Sequence, residues 1–175
     1  MSALAISVPT AEEAHSLVPA LADILIDCVE GGSSVSFLLP ISRETAEGFY
    51  AKTAARVAEG SAILFVATLD GEIVGTVQLC PVLIENQPHR ADVAKLLVHR
   101  RGRQRGIAQA LMVALEERAR AEGRTLLSLD TTAGSPAERL YEKLGWQRLG
   151  VMPGHALMAN GEPSDTTFFW KALPT

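Results

Sequence analysis

Residues 96–108 have the sequence LLVHRRGRQRGIA. Apolar residues at 96–98 end a predicted strand, a turn rich in glycine and arginine follows, and a predicted helix begins. The start of a helix offers backbone N–H groups without an intrahelical acceptor, together with the positive end of the helix dipole. Glycine lets a backbone approach a bulky anion closely, and arginine adds charge and a forked set of donors. The stretch therefore predicts a pyrophosphate-binding turn.

Two common phosphate-binding motifs are absent from this turn. It has no Gly-Lys-Ser/Thr, which a Walker-type loop requires, and no G-x-G-x-x-G, which marks a dinucleotide-binding fold. An arginine-rich, solvated turn that only begins a helix is the alternative interpretation, and this motif alone leaves it open.

Seven strands and four helices are predicted along the chain. They indicate the α/β (α+β) class, with a mixed sheet and helices on its faces. The pairs Thr10 and Glu13, and Ser135 and Glu138, have the spacing of a capping box at a helix start. The predicted strands are 3–8, 62–68, 73–84, 91–98, 125–129, 146–151 and 166–173. The predicted helices are 10–31, 42–59, 105–122 and 135–145, and residues 153–163 are predicted to form a loop. In helix 105–122 the buried stripe is placed at Ile107, Leu111, Ala114 and Leu115, and Glu116 among the solvated residues.

The composition is that of an ordinary globular protein. The 175 residues suit one domain, 1–175, with 47% apolar and 21% charged residues. A net charge of −4 argues against nucleic-acid binding by the chain as a whole. We predict no signal peptide, and no apolar run approaches a membrane span of about 18 residues. The expected location is therefore the cytoplasm, with no membrane partner.

The two cysteines, Cys28 and Cys80, lie in apolar segments. They are predicted to be buried free thiols, because a disulfide framework needs denser cysteine. No Cys/His spacing suggests a metal site.

Two segments resemble elements of one enzyme superfamily. RQRGIA, residues 103–108, resembles the Q/R-x-x-G-x-G/A coenzyme A motif of the GNAT superfamily of N-acetyltransferases. YEKLGW, residues 141–146, is similar to the Y-x-x-L-G-F/W element of that superfamily, and it follows the first element by one strand and one turn, as it does there. The resemblance implies the GNAT fold, a mixed, mostly antiparallel central sheet of about seven strands with helices on both faces. It also implies an enzyme that uses acetyl-CoA.

The same resemblance implies residues for binding the cofactor and for catalysis. The implied cofactor-binding residues are Leu97, Val98, Arg103, Gln104, Arg105, Gly106, Ile107, Ala108, Ser135 and Tyr141. Tyr141 is also the implied proton donor to the departing thiolate, with packing in the core as the alternative for its ring. A backbone N–H at the end of strand 91–98 is implied to stabilise the charge that develops on the attacked carbonyl.

An acid residue is expected beside the acceptor amine. Only a neutral amine attacks a thioester, so a carboxylate must take a proton from the ammonium, directly or through water. Asp92 on the central strand and Asp130 at the end of the next strand are the candidates. A solvated strand position is the alternative for Asp92, and a turn or cap role is the alternative for Asp130. Direct transfer is expected, so the mechanism needs neither cysteine.

A narrower resemblance covers almost the full chain. Segments 31–37, 90–95, 129–135 and 149–154 resemble the tabtoxin-resistance type of acetyltransferase, which acetylates a β-lactam amino-acid toxin. It implies a small-molecule amine as acceptor, a role in toxin or antibiotic resistance, and loops 31–37 and 151–163 beside the acceptor. The implied substrate-binding residues are Ser34, Phe37, Asp92 and Asp130. Asp92 departs from the family, which more usually has Glu there, and the shorter side chain allows a bridging water or a different amine. For His155 a surface position is favoured.

Three other functions compete with this prediction. The first is a protein or peptide N-acetyltransferase, which differs only in its acceptor groove. The second is a non-catalytic acyl-CoA-binding sensor, against which Tyr141 and the acidic strand residues argue. The third is nucleic-acid binding through the arginines at 100–105, which the acidic composition disfavours. The aromatic run 168–170 is expected in the core, with a homodimer contact as the alternative.

Overall fold

A computed structural model describes residues 3–174, and in that range β-branched and apolar runs form seven strands. The strands are β1 (Leu4–Ser7), β2 (Ile63–Leu69), β3 (Glu72–Pro81), β4 (Arg90–Val98), β5 (Leu126–Thr132), β6 (Gln147–Leu157) and β7 (Pro163–Ala172). The helices are α1 (Ala11–Ser16), α2 (Val18–Glu30), α3 (Arg43–Ala58), α4 (Ile107–Ala121) and α5 (Pro136–Lys143), with a 3-10 turn at Arg100–Gly102.

The seven strands form one sheet in the order β1-β2-β3-β4-β5-β7-β6. Each neighbouring pair is antiparallel except β4 with β5. Helices α1, α2 and α3 pack on one face, and α4 and α5 pack on the other. The predicted mixed, mostly antiparallel sheet with helices on both faces is confirmed. No helix within residues 3–174 is long and apolar enough to cross a membrane.

The parallel pair, β4 with β5, is short. Its register covers Arg90 to Asp92 against Leu126 to Ser128, and beyond that point the two strands have no paired residues. The remainder of β5 continues to pair with β7 on its other side, through Thr132. The sheet therefore opens between β4 and β5, at the end of β4 that leads into the predicted pyrophosphate turn.

The predicted first helix, 10–31, is wrong as a single element. Leu17 separates α1 from α2, and Pro19 lies in the first turn of α2. Proline has no N–H and its ring clashes with the carbonyl four residues back, so it is tolerated in a first turn but not in a helix interior. The capping box of Thr10 and Glu13 is confirmed.

The predicted loop 153–163 is also wrong, because β6 and β7 continue through most of it. Pro153 lies in β6, an edge strand, where the missing N–H removes no ladder hydrogen bond on the open side. The register of β6 shifts between Met152 and Ala156, and Gly154 there has a φ of 61°. The long hairpin thus carries a bulge where the sequence indicated a loop.

Other element ends differ from the prediction. Strand β3 ends at Pro81 rather than at residue 84, and β5 runs to Thr132, so Asp130 lies inside a strand and not in a turn. Helix α4 begins at Ile107 rather than at residue 105. The second capping box is absent, since the Ser135 side chain makes no cap bond. Of the aromatic run, Phe169 is in the core, whereas Trp170 is exposed.

Glu116 is buried, contrary to the prediction that it is solvated. Its carboxylate accepts a hydrogen bond from Trp146 Nε1 at 3.0 Å and from Lys171 Nζ at 2.7 Å, and Arg120 lies 3.7 Å away. These contacts join α4 to β7 and to the segment after α5. The helical periodicity of α4 could not reveal them, because both partners come from distant parts of the chain.

We predict that Glu116→Ala lowers the free energy of unfolding by about 3 kcal/mol, because it leaves the Lys171 ammonium largely buried without its carboxylate. Glu117→Ala is the matched control on the same helix, where the side chain is exposed, and it should change stability by about 0.5 kcal/mol or less. Urea unfolding of the two variants measures the difference, and equal losses would contradict the role assigned to Glu116.

Candidate active site

The opening between β4 and β5 contains two adjoining cavities. The larger, of about 850 Å³, lies at the predicted pyrophosphate turn and is called here the turn cavity. The smaller, of about 450 Å³, is lined by Lys95, Asp130 and Tyr141 and is called the charged cavity. The two cavities share part of their lining, namely Ser34, Val35, Leu96, Thr131, Thr132 and Ala137. A ligand can therefore extend from one cavity into the other.

Backbone groups form much of the turn cavity. Gln104 and Gly106 have left-handed conformations, with φ of 60° and 73°, and these turn the chain sharply into α4. A Cβ placed on Gly106 would meet no atom within 4 Å, so open space lies beside this residue. Helix α4 begins there without a side-chain cap, which leaves its first N–H groups free to bind an anion.

Most of the predicted cofactor-binding residues line the turn cavity. They are Leu97, Val98, Arg103, Gln104, Gly106, Ile107, Ala108 and Ser135. Arg105 is exposed and lines neither cavity, and Tyr141 lines the charged cavity instead. Cys28, which the sequence did not assign to a site, also lines the turn cavity. Cys28 is buried as predicted, whereas Cys80 is partly exposed.

Asp27, near the end of α2, contacts residues 100–103 of the turn and is not part of the cavity lining. Its carboxylate accepts hydrogen bonds from the Arg100 backbone N–H at 2.9 Å and from Arg100 Nε, and Arg103 lies 4.0 Å away. Arg103 Nε in turn donates to the Val98 carbonyl at 3.3 Å. The sequence indicated the arginines of this cluster but not the acid, because Asp27 lies about 70 positions earlier in the chain.

The charges around Asp27 lower its pKa. Burial raises the pKa, but the hydrogen bonds from Arg100 and the nearby positive charges together lower it by more. His99 lies 3.7 Å from the same carboxylate, and its pKa is lowered, first by burial and then by Arg101 and Arg100, against the opposite effect of Asp27. His99 Nδ1 accepts the Arg101 N–H at 3.2 Å, which is consistent with a neutral ring.

We predict that Asp27→Asn lowers the free energy of unfolding at pH 7 by about 2 kcal/mol, because it removes charge-assisted hydrogen bonds to Arg100. A carboxyl with a lowered pKa in the folded state contributes its full stabilisation above the unfolded value of about 3.9, and the contribution is lost as pH falls through the folded pKa. The difference between the two proteins should therefore be constant from pH 7 to about pH 5 and shrink below about pH 4.

Urea unfolding at several pH values measures this difference. Asp23→Asn is the matched control, since Asp23 lies on the same helix in a half-exposed ion pair with Arg43, and it should cost less than about 1 kcal/mol. A loss in Asp27→Asn that does not change with pH would show that packing, and not charge, accounts for it.

Tyr141 lines the charged cavity and is also part of the buried core. Helix α5 carries the residue, and the ring centroid lies 6.0 Å from that of Trp146 and 5.8 Å from that of Phe169. Burial raises the pKa of Tyr141, and the negative charge of Asp130 raises it further. The phenol is therefore protonated throughout the physiological pH range. Packing of the ring in the core is observed, and the role of the hydroxyl in catalysis stays a prediction.

Lys95 is a residue of the charged cavity that the sequence did not indicate. Its φ of 55° is unusual for a residue with a side chain, and it lies in a bulge where the pairing of β4 with β3 shifts register. The bulge directs Lys95 toward the loop at 34–38, where Nζ donates to the Ser36 hydroxyl at 2.9 Å. No glycine or turn signal marks this position, so the pattern predicted only a regular strand.

Three of the four residues predicted to bind the acceptor amine line the cavities, and the fourth does not. Phe37 and Asp130 line the charged cavity, and Ser34 lines both cavities. Asp92 lines neither cavity. It is half-exposed at the last position of β4 that pairs with β5, where Ser128 Oγ donates to its carboxylate and Arg90 lies 3.4 Å away. His155 is exposed, as predicted, and it also lines the charged cavity.

Comparison with known proteins agrees with this geometry. The model of the acetyltransferase (GNAT) family matches residues 21–146. An uncharacterized N-acetyltransferase of Azospirillum brasilense is 38% identical over 112 residues, which are 63% of this chain and 65% of that protein. The chain therefore matches just under two thirds of the length of that relative.

Solved structures of acetyltransferases share the fold. The ribosomal-protein-alanine N-acetyltransferase of Brucella melitensis is 26% identical, with a TM-score of 0.77 over 97% of this chain and 99% of that one. The acetyltransferase yncA of Salmonella typhimurium, solved with its cofactor acetyl-CoA, is 18% identical, with a TM-score of 0.80 over 99% of this chain and 95% of that one.

The sheet opens between β4 and β5, with an uncapped helix start after β4 on one side and Tyr141 of α5 in the lining of the charged cavity on the other. This arrangement fits an enzyme that transfers acyl groups from coenzyme A. The chain belongs to the acetyltransferase (GNAT) family, whose model covers more than half of it. The matched region includes 103–108 and 141–146, the two segments on which the prediction depended. Family membership is thereby confirmed, and acetyl-CoA is the acetyl donor that this family uses.

Proposed function

We propose that this protein transfers an acetyl group from acetyl-CoA directly to an amine of a small molecule. The observation that supports this most is the junction of the two cavities at Leu96, where an anion-binding turn on one side meets Tyr141 and Asp130 on the other. The cytoplasmic location, the tabtoxin-resistance subgroup and a role in resistance stay predictions from the sequence.

The chemistry of the turn cavity suits coenzyme A. The free N–H groups at the start of α4 and the Arg103 guanidinium suit a pyrophosphate, and open space beside Gly106 admits it. Beyond Asp92, the backbone N–H groups of β4 that point toward β5 have no partner in that strand, so they are available to a bound chain. When bound, acetyl-CoA supplies an activated acetyl group as a thioester.

Tyr141 is proposed to hold the proton that the departing sulfur receives. In water a phenol, with a pKa of about 10, gives a proton to a thiolate of about 8.5 only reluctantly. Burial raises the pKa of Tyr141 further, but the same poorly solvated surroundings also raise the pKa of a thiol that leaves there. The relevant quantity is the difference between the two, and shared burial keeps that difference small.

Asp130 is proposed to take the proton from the acceptor ammonium. It lies inside β5 and lines the same cavity as Tyr141, whereas Asp92 lies outside both cavities in contact with Ser128 and Arg90. Any action of Asp92 on an amine in the cavity therefore requires a bridging water, as the shorter side chain already suggested. A backbone N–H of β4 is proposed to stabilise the charge on the attacked carbonyl oxygen.

The dimensions of the charged cavity favour a small acceptor over a protein chain. At about 450 Å³ it falls within the range of small-molecule sites. The loop at 34–38 and residues 155–157 of β6 both line it, and Ser34 Oγ donates to the Leu157 carbonyl at 2.7 Å, which ties the two segments together. The 26% identity to a ribosomal-protein-alanine acetyltransferase supports a peptide acceptor as the second candidate.

A thiol-release assay decides between the acceptors. Acetyl-CoA is offered with a panel of amino acids, β-lactam amino acids and other small amines, and with peptides that begin with alanine or contain lysine. We expect release with members of the small-amine series. Release with peptides alone would favour the second candidate, and release with none of them while acetyl-CoA still binds would favour a sensor.

We predict that acetyl-CoA at 100 times its Kd raises the Tm by about 5–10 °C, since binding to the folded state then contributes about 2.7 kcal/mol. Gly106→Glu should abolish the rise, because it places a carboxylate where the pyrophosphate is proposed to bind. The matched control is Gly123→Glu, at the other end of α4 and with almost the same φ, 74° against 73°. It carries the same backbone strain, so it should keep the rise; loss of the rise in both variants would contradict the assignment of the turn.

We predict that Tyr141→Phe lowers turnover by about 10²–10⁴-fold, because it removes the proton donor and keeps the ring. The acetyl-CoA affinity should change much less, since the lost interaction acts in the transition state. Tyr50→Phe is the matched control: Tyr50 is fully buried, and its hydroxyl has no hydrogen-bond partner among residues 3–174. Steady-state kinetics of both variants, with binding measured separately, test this, and near-normal turnover of Tyr141→Phe would remove Tyr141 from the mechanism.

A further inference from the structure

The charged cavity contains a cation that the proposed transfer does not use. Lys95 lines it together with Asp130, and its Nζ lies 5.9 Å from the centre of the Phe49 ring. Nζ donates one hydrogen bond, to Ser36, among the described residues. An ammonium has three N–H donors, so two remain for a ligand in the cavity.

The surroundings of Lys95 favour an incoming anion. Burial lowers its pKa, and the negative charge of Asp130 opposes that effect without cancelling it. Within residues 3–174 no carboxylate forms an ion pair with Lys95, although ten other pairs of a lysine or arginine with a carboxylate occur there. A poorly solvated cation without a carboxylate partner gains most from a ligand that supplies one.

The cavity thus presents one group of each sign. Asp130 projects from β5 and Lys95 from β4, on the two sides of the opening in the sheet, and no ion pair joins them. A ligand with an ammonium and a carboxylate matches this arrangement, since each of its charges meets the opposite charge on the wall. A simple alkylamine leaves Lys95 unmatched.

We propose that Lys95 binds an anionic group of the acceptor and selects amines that carry a carboxylate a few bonds from the nitrogen. This inference rests on the proposed acetyl transfer and names the class of its acceptor. Lys95 acts in it as a specificity-determining residue, while Asp130 faces the amine. Ser36 has a φ of 77° and receives the Lys95 hydrogen bond, so the loop at 34–38 is held against the cation that it helps to position.

The test compares amino acids with their matched amides and with the corresponding decarboxylated amines, each as acceptor in the thiol-release assay. We expect wild-type kcat/KM to be about 30-fold or more higher for the acids, because an unpaired buried charge is costly. Lys95→Met should remove most of that preference through KM for the acids, and leave the amides within about 3-fold. Lys95→Arg, which keeps the charge, should restore part of it.

Two further variants separate recognition from folding. Lys52→Met is the matched control, an exposed lysine of α3 outside both cavities, and it should leave the preference unchanged. Ser36→Ala removes the hydroxyl that helps to position the cation but keeps the charge, so the preference for acids should fall by less than in Lys95→Met. The rise in Tm with acetyl-CoA, measured for each variant, shows that the fold and the turn cavity are intact.

The outcomes distinguish this inference from the function on which it rests. Amides acetylated as well as acids by the wild type, or equal losses for both in Lys95→Met, would overturn the role of Lys95 and leave the acetyl transfer standing. Failure of every amine, acid or amide, to release thiol would overturn the proposed function and this inference with it.

Discussion

Strands β4 and β5 separate after three paired positions, and both cavities result from this separation. The only parallel neighbours among the described strands pair over three positions, Arg90 to Asp92 against Leu126 to Ser128. Beyond them the facing backbone groups have no strand partner, and buried backbone groups without partners are costly. An opening of this kind is stable where it is accessible to solvent or a ligand, and both cavities lie in it.

The two sides of the opening are held apart by different means. On the β4 side, the bulge at Lys95 turns the strand, and Asp27 holds the following turn by its contacts with Arg100. On the β5 side, pairing with β7 continues through Thr132. This pairing holds β5 in the sheet where β4 no longer pairs with it. The buried Glu116, with Trp146 and Lys171, joins α4 to the β7 side and so connects the two halves of the molecule. Walls held in this way place the turn before α4 and Tyr141 at two adjoining cavities.

Electrostatics divides that space into two environments. The turn cavity combines helix N–H groups with Arg103 and has its nearest acid, Asp27, behind the turn and already paired. The charged cavity presents Lys95 and Asp130 without direct pairing. The first environment suits a polyanion and the second a ligand with both signs of charge. The division follows from which strand each residue belongs to, and not from the net charge of the chain.

Local signals in the sequence predicted most of the strands and helices and the glycine–arginine turn, but not the break at Leu17 or the full length of β6. The strand, glycine–arginine turn and helix at 96–108 are a contiguous pattern, and the YEKLGW segment at 141–146 is another, so the family could be predicted from short-range order alone. Long-range contacts, burial and access to the cavities depend on the tertiary structure, and short sequence patterns carry no information on them. Asp27 contacts Arg100, which lies 73 positions later in the chain. Glu116 is buried by contacts with residues 30 and 55 positions away. Of the two candidate bases, Asp130 lines a cavity and Asp92 does not. Lys95 lies at a bulge, where the pairing of β4 with β3 shifts register, and it lines the charged cavity. Periodicity reports which face of its own element a residue occupies, whereas burial, pairing and access to a cavity depend on what the remainder of the chain places opposite that face.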